Sequence, residues 1–282
     1  MSDFKDTKVG LSPETLFIFS TSGSASSIAK HNTALQSLDV DLAYFTFGRQ
    51  ISAKQYMDLL RSPISRGGAV TGKGLKSSVI EFLDEIDKLA EDTNCVNTVV
   101  NNEGKLYGYN TDSFGFETAL NNHIKSSGLV VNKTIIYGNG GVSGSAAHVL
   151  KKMGIQTTMT GRNSEKVALK MDELKLDTFE GPYDLVVNAT PVSKDQITNI
   201  TGLVEILENC KVVFDHNIPE KDGRTNYLKD YCKAHDIYFI PGGDMYNAQM
   251  IKQWQLFLDV CKTRSGQQLT LTDDDIRQHW PL

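Results

Sequence analysis

Cysteine is scarce: four in 282 residues, Cys95, Cys210, Cys232 and Cys261, far apart and with no CxxC spacing. That argues against a disulfide-stapled scaffold and a cysteine-built metal ribbon, and it fits reduced thiols serving as small core residues in the cytoplasm. No apolar run approaches the roughly 18–20 residues that a membrane span needs. The apolar stretch at 16–19 is too short for the core of a secretory signal. Positive charge is not in excess either, with 29 Lys and Arg against 34 Asp and Glu and a net charge of −5. A broad electrostatic grip on nucleic acid is therefore not expected. Heptads, low-complexity tracts and long linkers are also missing. What remains is ordinary globular composition, 40% apolar and 22% charged. The length allows two domains at roughly 100–200 residues each.

Short apolar runs alternate with helical patterns along the whole chain. Residues 16–19 read as a strand, and Ser26 or Ser27 can cap a helix that runs to about Leu38. Strand 42–47, helix 52–61 and strand 68–71 follow. Residues 76–90 show apolar positions at helical spacing and predict one continuous helix. Segments 95–100 and 105–109 flank Asn101-Asn102-Glu103-Gly104 and predict a β-hairpin. A helix at 112–125, capped or entered by Asp112, comes next. Strand 134–137 runs into a glycine-rich turn and a helix to Met153. Strand 156–160, helix 164–174, strands 184–188 and 212–215, helix 226–235, strand 238–240 and a last long helix over 245–261 complete the pattern. Thr272 looks like a helix cap. Such alternation predicts an α/β fold with mainly parallel sheets.

Gly138-Asn139-Gly140-Gly141 follows the strand ending at Tyr137, and small and apolar residues follow it at helical spacing. This strand–turn–helix context is what a dinucleotide site requires. Glycines let backbone amides approach a diphosphate, and the helix N-terminus adds its positive dipole end. The next strand ends Thr160-Gly161-Arg162-Asn163. An acid there would bind a ribose 2′-hydroxyl; Arg162 instead suits a 2′-phosphate, and Lys166 lies one helical turn on. The cofactor expected is NADP.

A second polar group lies at the outer ends of the hairpin: Asn97-Thr98 and Asn110-Thr111-Asp112. Lys76 begins the helix after Gly72-Lys73-Gly74. Reducing a ketone needs a proton near the carbonyl oxygen. A Lys–Asp pair, Lys76 with Asp112, can provide it. Asn97, Thr71 and Gln249 can hold the hydroxyls of a polyol. On their own, a lysine at a helix start and an aspartate near a cap are also ordinary surface and capping residues.

The segment Asn97-Thr98…Gly104-Lys-Leu106-Tyr-Gly108-Tyr-Asn110-Thr111-Asp112-Ser-Phe-Gly115-Phe116 resembles the NT…G.L.G.NTD..GF signature of the shikimate dehydrogenase family, at near-identical spacing. Ser27 to His31-Asn32, the helix from Lys76, the turn at Gly138, Gly161-Arg162-Asn163, Asn188-Ala189-Thr190 and Met245 to Gln249 resemble the family's remaining motifs. The resemblance implies an α/β substrate domain at 1–111, completed by helices at 246–282. A Rossmann-type, doubly wound NADP-binding domain at 112–245 is inserted between them. It implies a cytoplasmic oxidoreductase, monomeric or homodimeric, that interconverts 3-dehydroshikimate and shikimate in the chorismate pathway to aromatic amino acids. No metal, nucleic-acid or membrane partner is implied. Lys76 and Asp112 would be catalytic, Ser27, Thr71, Asn97 and Gln249 would hold substrate, and Gly138, Asn139, Gly140, Gly141, Arg162, Lys166, Asn188 and Thr190 would bind NADP.

Departures cluster on the substrate side. The first of the family's two SxS serines is Ala25 here, with Ser22, Ser24 or Ser26 as substitutes. The lysine loop, Thr71-Gly72-Lys73-Gly74-Leu75-Lys76, lacks the usual proline and carries one extra residue, which leaves Lys73 as an alternative to Lys76. A tyrosine common after the strand at 212–215 is missing, and His216 there is either a cleft residue or an ordinary loop histidine. A relative acting on quinate or another small polyol carboxylate, or a non-catalytic nucleotide-binding relative, remains an alternative reading.

Overall fold

The structure, a computed structural model, describes residues 10–47, 50–72, 74–194, 197, 200, 202–218, 225–259 and 261–280. Contacts divide the chain into two compact units, 1–111 with 250–282, and 112–249.

In the first unit, strand β1 (Leu16–Ser20), helix α1 (Ala25–Ser37), strand β2 (Leu42–Thr46), helix α2 (Ala53–Leu60) and strand β3 (Ser65–Ala69) form two β–α–β crossovers. β1 pairs in parallel with both β2 and β3. The cap of α1 is Ser24, which accepts from Ser27 N, and not Ser26 or Ser27 as the sequence suggested. Several adjacent serines can each cap, and local pattern does not choose among them. α2 carries a capping box, Ser52 with Gln55. The His31-Asn32 pair has a structural role: the Asn32 amide donates to Tyr44 O and accepts from Tyr44 N, docking α1 on β2.

The predicted helix over 76–90 is not continuous. It is α3 (Leu75–Ser78), a 3₁₀ turn at Ile80–Phe82, a short strand β4 (Glu85–Ile86) and α4 (Lys88–Thr93). The break has identifiable causes. Asp84 accepts from Leu106 N at 2.7 Å and from Arg61 at 2.6 Å, and β4 pairs with β6. Asp87 then caps α4 through Ala90 N. The hairpin is β5 (Thr98–Asn102) and β6 (Lys105–Tyr109), joined by Glu103 and Gly104, both at positive φ. β3 pairs antiparallel with β5, so this sheet is mixed, in the order β2-β1-β3-β5-β6-β4.

Helix α5 (Thr111–Ser127) leads into the second unit. Asp112 lies inside its first turn and is not its cap, a correction to the sequence reading. Strands β7 (Lys133–Tyr137), β8 (Gln156–Thr160), β9 (Tyr183–Asn188), β10 (Cys210–Asp215) and β11 (Tyr238–Pro241) form a sheet in the order β11-β10-β9-β7-β8, parallel at every pairing. Helices α6 (Gly141–Lys152), α7 (Ser164–Leu174), α8 (Leu203–Leu207) and α9 (Tyr227–Ala234) connect them. Alternation sorts the strand side chains. Ile136, Leu185, Val187, Val212 and Phe214 pack on one face with Phe116 and Leu120 of α5 and Ala147 and Leu150 of α6. Ile135, Val186 and Val213 pack on the other with Leu203, Leu207 and Leu228. Each such buried aliphatic contributes about 1.5–3 kcal/mol over its exposed state.

The last long helix, α10, spans Gly242–Leu258, three residues earlier at each end than the pattern suggested, and Thr272 caps α11 (Asp273–His279) with a capping box through Asp275. Of the cysteines, only Cys232 is fully buried; Cys95, Cys210 and Cys261 are half-buried, and none of the four is in a disulfide. Among the described residues no helix is long and apolar enough to cross a membrane, and no group of three or more His, Cys, Asp and Glu side chains is placed to hold a metal ion.

Candidate active site

In the first unit, backbone bonds draw separate segments to one point. Val70 N donates to Asn97 O at 2.8 Å, Asn97 N to Tyr109 O at 3.0 Å, and Val96 N to Lys76 O at 2.8 Å. Thr71, Lys76, Asn97 and Thr111 are thus held near the same end of the β3–β5–β6 sheet. The Asn97 side chain is 4% exposed. Its Oδ1 accepts from Thr111 N at 2.8 Å, and its Nδ2 donates to Thr111 Oγ1 at 2.9 Å. Thr98 Oγ1 accepts from Gln253 Nε2 at 2.8 Å. This buried network fixes the backbone at Thr111, and with it the start of the helix that carries Asp112.

Thr71 belongs to a hydroxyl cluster. Its N–H donates to Thr21 Oγ1 at 2.7 Å, and its own Oγ1 bonds Ser22 Oγ. Ser24 Oγ lies 2.8 Å from Ser26 Oγ. Ser22, Ser24 and Ser26 are exposed and Ser27 is half-buried. Of the substitutes weighed for the serine missing at Ala25, Ser22 is the one bonded to Thr71. Lys76 is half-buried, the second residue of α3, whose cap Gly74 sits at φ +82°. Lys73 lies outside the described residues.

In the second unit the chain runs from β7 to β8 on one side, then returns to β9 on the other. Ligands of doubly wound sheets lie outside the strand ends at such a reversal. Gly138 occupies this point at φ +114°, and a Cβ there would stand 2.4 Å from Thr190 Cγ2 and 3.1 Å from Ala189 O. Its N–H donates to Thr160 O at 2.7 Å, bringing the ends of β7 and β8 together. Beyond it the turn is open. A Cβ at Gly141 would meet nothing within 4 Å, and one at Gly140 would meet only Ala189 O at 3.7 Å. Gly140 caps α6 without a side chain. The space beside these two glycines is therefore free of protein atoms, and a glycine-capped helix start of this kind fits a dinucleotide diphosphate. Asn139 lies half-buried between the two glycines. Arg162 is exposed at the end of β8; Asn163 caps α7 by accepting from Lys166 N at 2.9 Å. Arg162 and Lys166 thus flank a helix N-terminus, a setting suited to a phosphate.

Asn188 and Thr190 stand at the end of β9. Asn188 is 1% exposed, and its Oδ1 accepts from Thr190 Oγ1 at 2.7 Å while its Nδ2 donates to Asp215 Oδ1 at 2.9 Å. Sequence reasoning passed over Asp215, which is fully buried and is the hub of this end of the sheet. It also accepts from Asn217 Nδ2 at 2.7 Å and from Asn226 Nδ2 at 3.0 Å. An acid ending an otherwise apolar strand was the available signal. On α5, Gly115 allows close approach to α10: a Cβ there would lie 2.7 Å from Gln249 Cβ and 2.5 Å from Met245 O. That places Gln249 beside the first turn of α5. His216 stacks on Phe116, one turn after Asp112, and its pKa is lowered to about 4, chiefly by burial and against the opposing pull of the Asp112 charge.

No family model matches the chain. Among known proteins, an NADP⁺-dependent shikimate dehydrogenase of Methanococcus maripaludis is 31% identical over 198 residues, 64% of this chain and 68% of that one. One from Clostridium botulinum is 34% identical over 186 residues, 60% of this chain and 67% of that one. The chain belongs to the shikimate dehydrogenase family. A third relative, from Halothermothrix orenii, is 32% identical over 194 residues, 68% of this chain, which spans just under two thirds of that relative, 63%. Solved structures share the fold over nearly the whole chain. A shikimate dehydrogenase from Aquifex aeolicus gives a TM-score of 0.74 at 21% identity, covering 96% of this chain and 99% of that one. A shikimate 5-dehydrogenase from Thermus thermophilus, in complex with NADP(H) and shikimate, gives 0.68 at 23% identity, with 94% and 99% covered. Each of the two units of this chain is built on its own α/β sheet, mixed in the first and parallel throughout in the second.

Proposed function

We propose that this chain is an NADP-dependent shikimate dehydrogenase, which reduces 3-dehydroshikimate reversibly to shikimate. The observation that carries the reading is the convergence in the first unit. Backbone bonds from Val70 to Asn97 and from Val96 to Lys76 draw the segments of Thr71, Lys76 and Asn97 together, and Asn97 anchors the residue preceding Asp112. Identity of 31–34% with NADP⁺-dependent shikimate dehydrogenases supports it. The first unit then takes the acid and the second takes NADP. Four cysteines outside any disulfide agree with a cytoplasmic enzyme, acting as a monomer or homodimer.

NADPH, when bound, supplies a hydride to the ketone carbon. Lys76 donates a proton to the carbonyl oxygen as charge develops there, and Asp112 orients the ammonium. Thr71, Ser27 and Gln249 hold the hydroxyls and carboxylate of the acid. Asn97 holds Thr111, and through it Asp112, in place. Gly138, Asn139, Gly140 and Gly141 carry the diphosphate on backbone amides, Arg162 and Lys166 take the 2′-phosphate, and Asn188 and Thr190 shape the wall beside the turn.

Two comparisons test the cofactor half. Gly138→Ala forces a side chain against Thr190 at an unfavourable φ and should destabilise the fold by about 1–3 kcal/mol. Gly141→Ala meets nothing in the protein, so its melting temperature should hold while NADPH affinity falls. Equal melting and equal affinity for both variants would contradict the assignment of this turn. Arg162→Ala should weaken NADPH by about tenfold or more and leave NADH nearly unchanged, because only the former presents a phosphate. Titration of both cofactors reads this directly, and equal losses would sink the phosphate assignment.

One observation favours a second reading. Ala25 removes a carboxylate serine, and Ser22 bonds Thr71 nearby. A relative acting on quinate or another small polyol acid would share everything else, and offering both acids separates the two.

A further inference from the structure

His216 has no role in the chemistry assigned above, yet its surroundings are not those of an ordinary loop histidine. It directly follows β10, at the carboxyl end of the sheet, and its backbone N–H donates to Asn188 O at 3.1 Å. The ring lies nearly parallel to Phe116, with centroids 5.2 Å apart and 18° between planes, and tilts against Phe214 at 5.3 Å. These contacts fix the ring plane and offer nothing to its nitrogens. Nδ1 and Nε2 are both shut off from solvent and have no hydrogen-bond partner among the described residues.

Burial keeps the ring neutral, with its pKa drawn down to about 4. A neutral imidazole carries one N–H donor and one lone-pair acceptor, and leaving either buried and unpaired destabilises the fold. Phenylalanine would keep both stacks and leave nothing unpaired. The histidine therefore costs stability in the free protein, and a partner from outside the chain accounts for it.

Its position says where that partner lies. The glycine turn after β7 takes the diphosphate. Strands β9 and β10, beyond the reversal, then face the reacting half of a dinucleotide. Asn188, which also holds Thr190, is bonded to His216 on that side, and Asp112 is close enough on α5 for its charge to be felt. We propose that His216 is a binding residue for the reacting end of the ligands. Its ring hydrogen-bonds an uncharged amide or hydroxyl there and so helps to select what reacts. The amide would be the carboxamide of the nicotinamide, the hydroxyl one on the ring of the acid. The inference rests on the reading of this chain as an NADP-dependent dehydrogenase.

The test uses His216→Phe and His216→Gln in the full chain. Thermal melting, NADPH titration without acid, and kcat and KM for shikimate are read for each beside the unaltered protein. His216→Phe should melt at or above the temperature of the unaltered protein and lose about tenfold in one binding constant. A loss in NADPH affinity identifies the carboxamide as the partner. A rise in KM with NADPH affinity unchanged identifies the acid. His216→Gln, which keeps a donor and an acceptor, should recover part of the loss. A His216→Phe protein with both constants within about twofold of the original overturns the proposal, whatever its melting temperature. Absence of shikimate turnover in the unaltered protein counts against the proposed reaction instead. His216 is then judged on NADPH titration alone, where an unchanged constant overturns it.

Discussion

Lys76→Ala should lower kcat for shikimate by about 10²–10⁴-fold and leave NADPH affinity within about twofold. The first number is what a positioned proton donor contributes when it acts in the transition state. The second follows because Lys76 belongs to the first unit, whereas the glycine turn, Arg162 and Lys166 belong to the second. The backbone already singles Lys76 out. Its carbonyl accepts from Val96 N at 2.8 Å, immediately before Asn97, whose amide holds Thr111. Lys76→Arg keeps the charge but not a compact ammonium that releases a proton readily, and should recover little. Lys73→Ala should cost much less. The reverse ranking, with Lys73→Ala the more damaging, would move the proton donor one turn back in the loop and would fit the extra residue between Thr71 and Lys76.

Arg66→Leu should be the most destabilising single change in the first unit, on the order of 3–5 kcal/mol in urea unfolding. Arg66 is 6% exposed, and backbone carbonyls surround its guanidinium. Nε donates to Phe257 O at 2.6 Å, Nη1 to Asn101 O at 3.1 Å, and Nη2 to Asp259 O at 2.5 Å and Leu256 O at 3.3 Å. Two of these four oxygens belong to the last turn of α10, which has no further helical turn to satisfy them, and a third, Asp259 O, directly follows it. A cation there also complements the negative end of the helix dipole. Leucine would fill much of the volume but strand the carbonyls. The control is Lys54→Ala, which removes an ion pair with Asp58 in which both side chains are mostly exposed; its unfolding midpoint should not move. If Arg66→Leu unfolded at the same urea concentration as Lys54→Ala, those carbonyls would have found other partners, and Arg66 would not anchor α10.

Much of the architecture was legible because the relevant signals are local. β8 and α7 fall where the pattern put them, at Gln156–Thr160 and Ser164–Leu174. Their apolar period, and Asn163 between them as a cap, suffice. The hairpin was legible from Glu103-Gly104 between β-rich runs. The region 76–90 was misread for a corresponding reason. Apolar positions there keep helical spacing, but Asp84 turns away to Arg61 and Leu106 N, and β4 pairs with β6. Those partners lie 22 and 23 residues away from Asp84 in sequence, or across a sheet, and periodicity contains none of that information.

The site divides in the same way. The strand–turn–helix at Gly138–Gly141 was legible, since the turn chemistry is written in consecutive residues. Asp215 was not, because a carboxylate at a strand end does not declare that three asparagines from three segments will surround it. The hydroxyl cluster was half legible. The serines at 22, 24 and 26 were visible as a group, but only the fold shows that Ser22 meets Thr71.

The most direct measurement of the central claim follows the absorbance of the reduced nicotinamide while shikimate and quinate are offered separately, each with NADP⁺ and with NAD⁺. Rapid turnover of shikimate with NADP⁺, and little with NAD⁺, is the predicted result. It would support the substrate assignment and the phosphate role of Arg162 together. Tight NADPH binding with no turnover of either acid would contradict the account and direct attention to Ala25, Ser22 and the loop at 72–75.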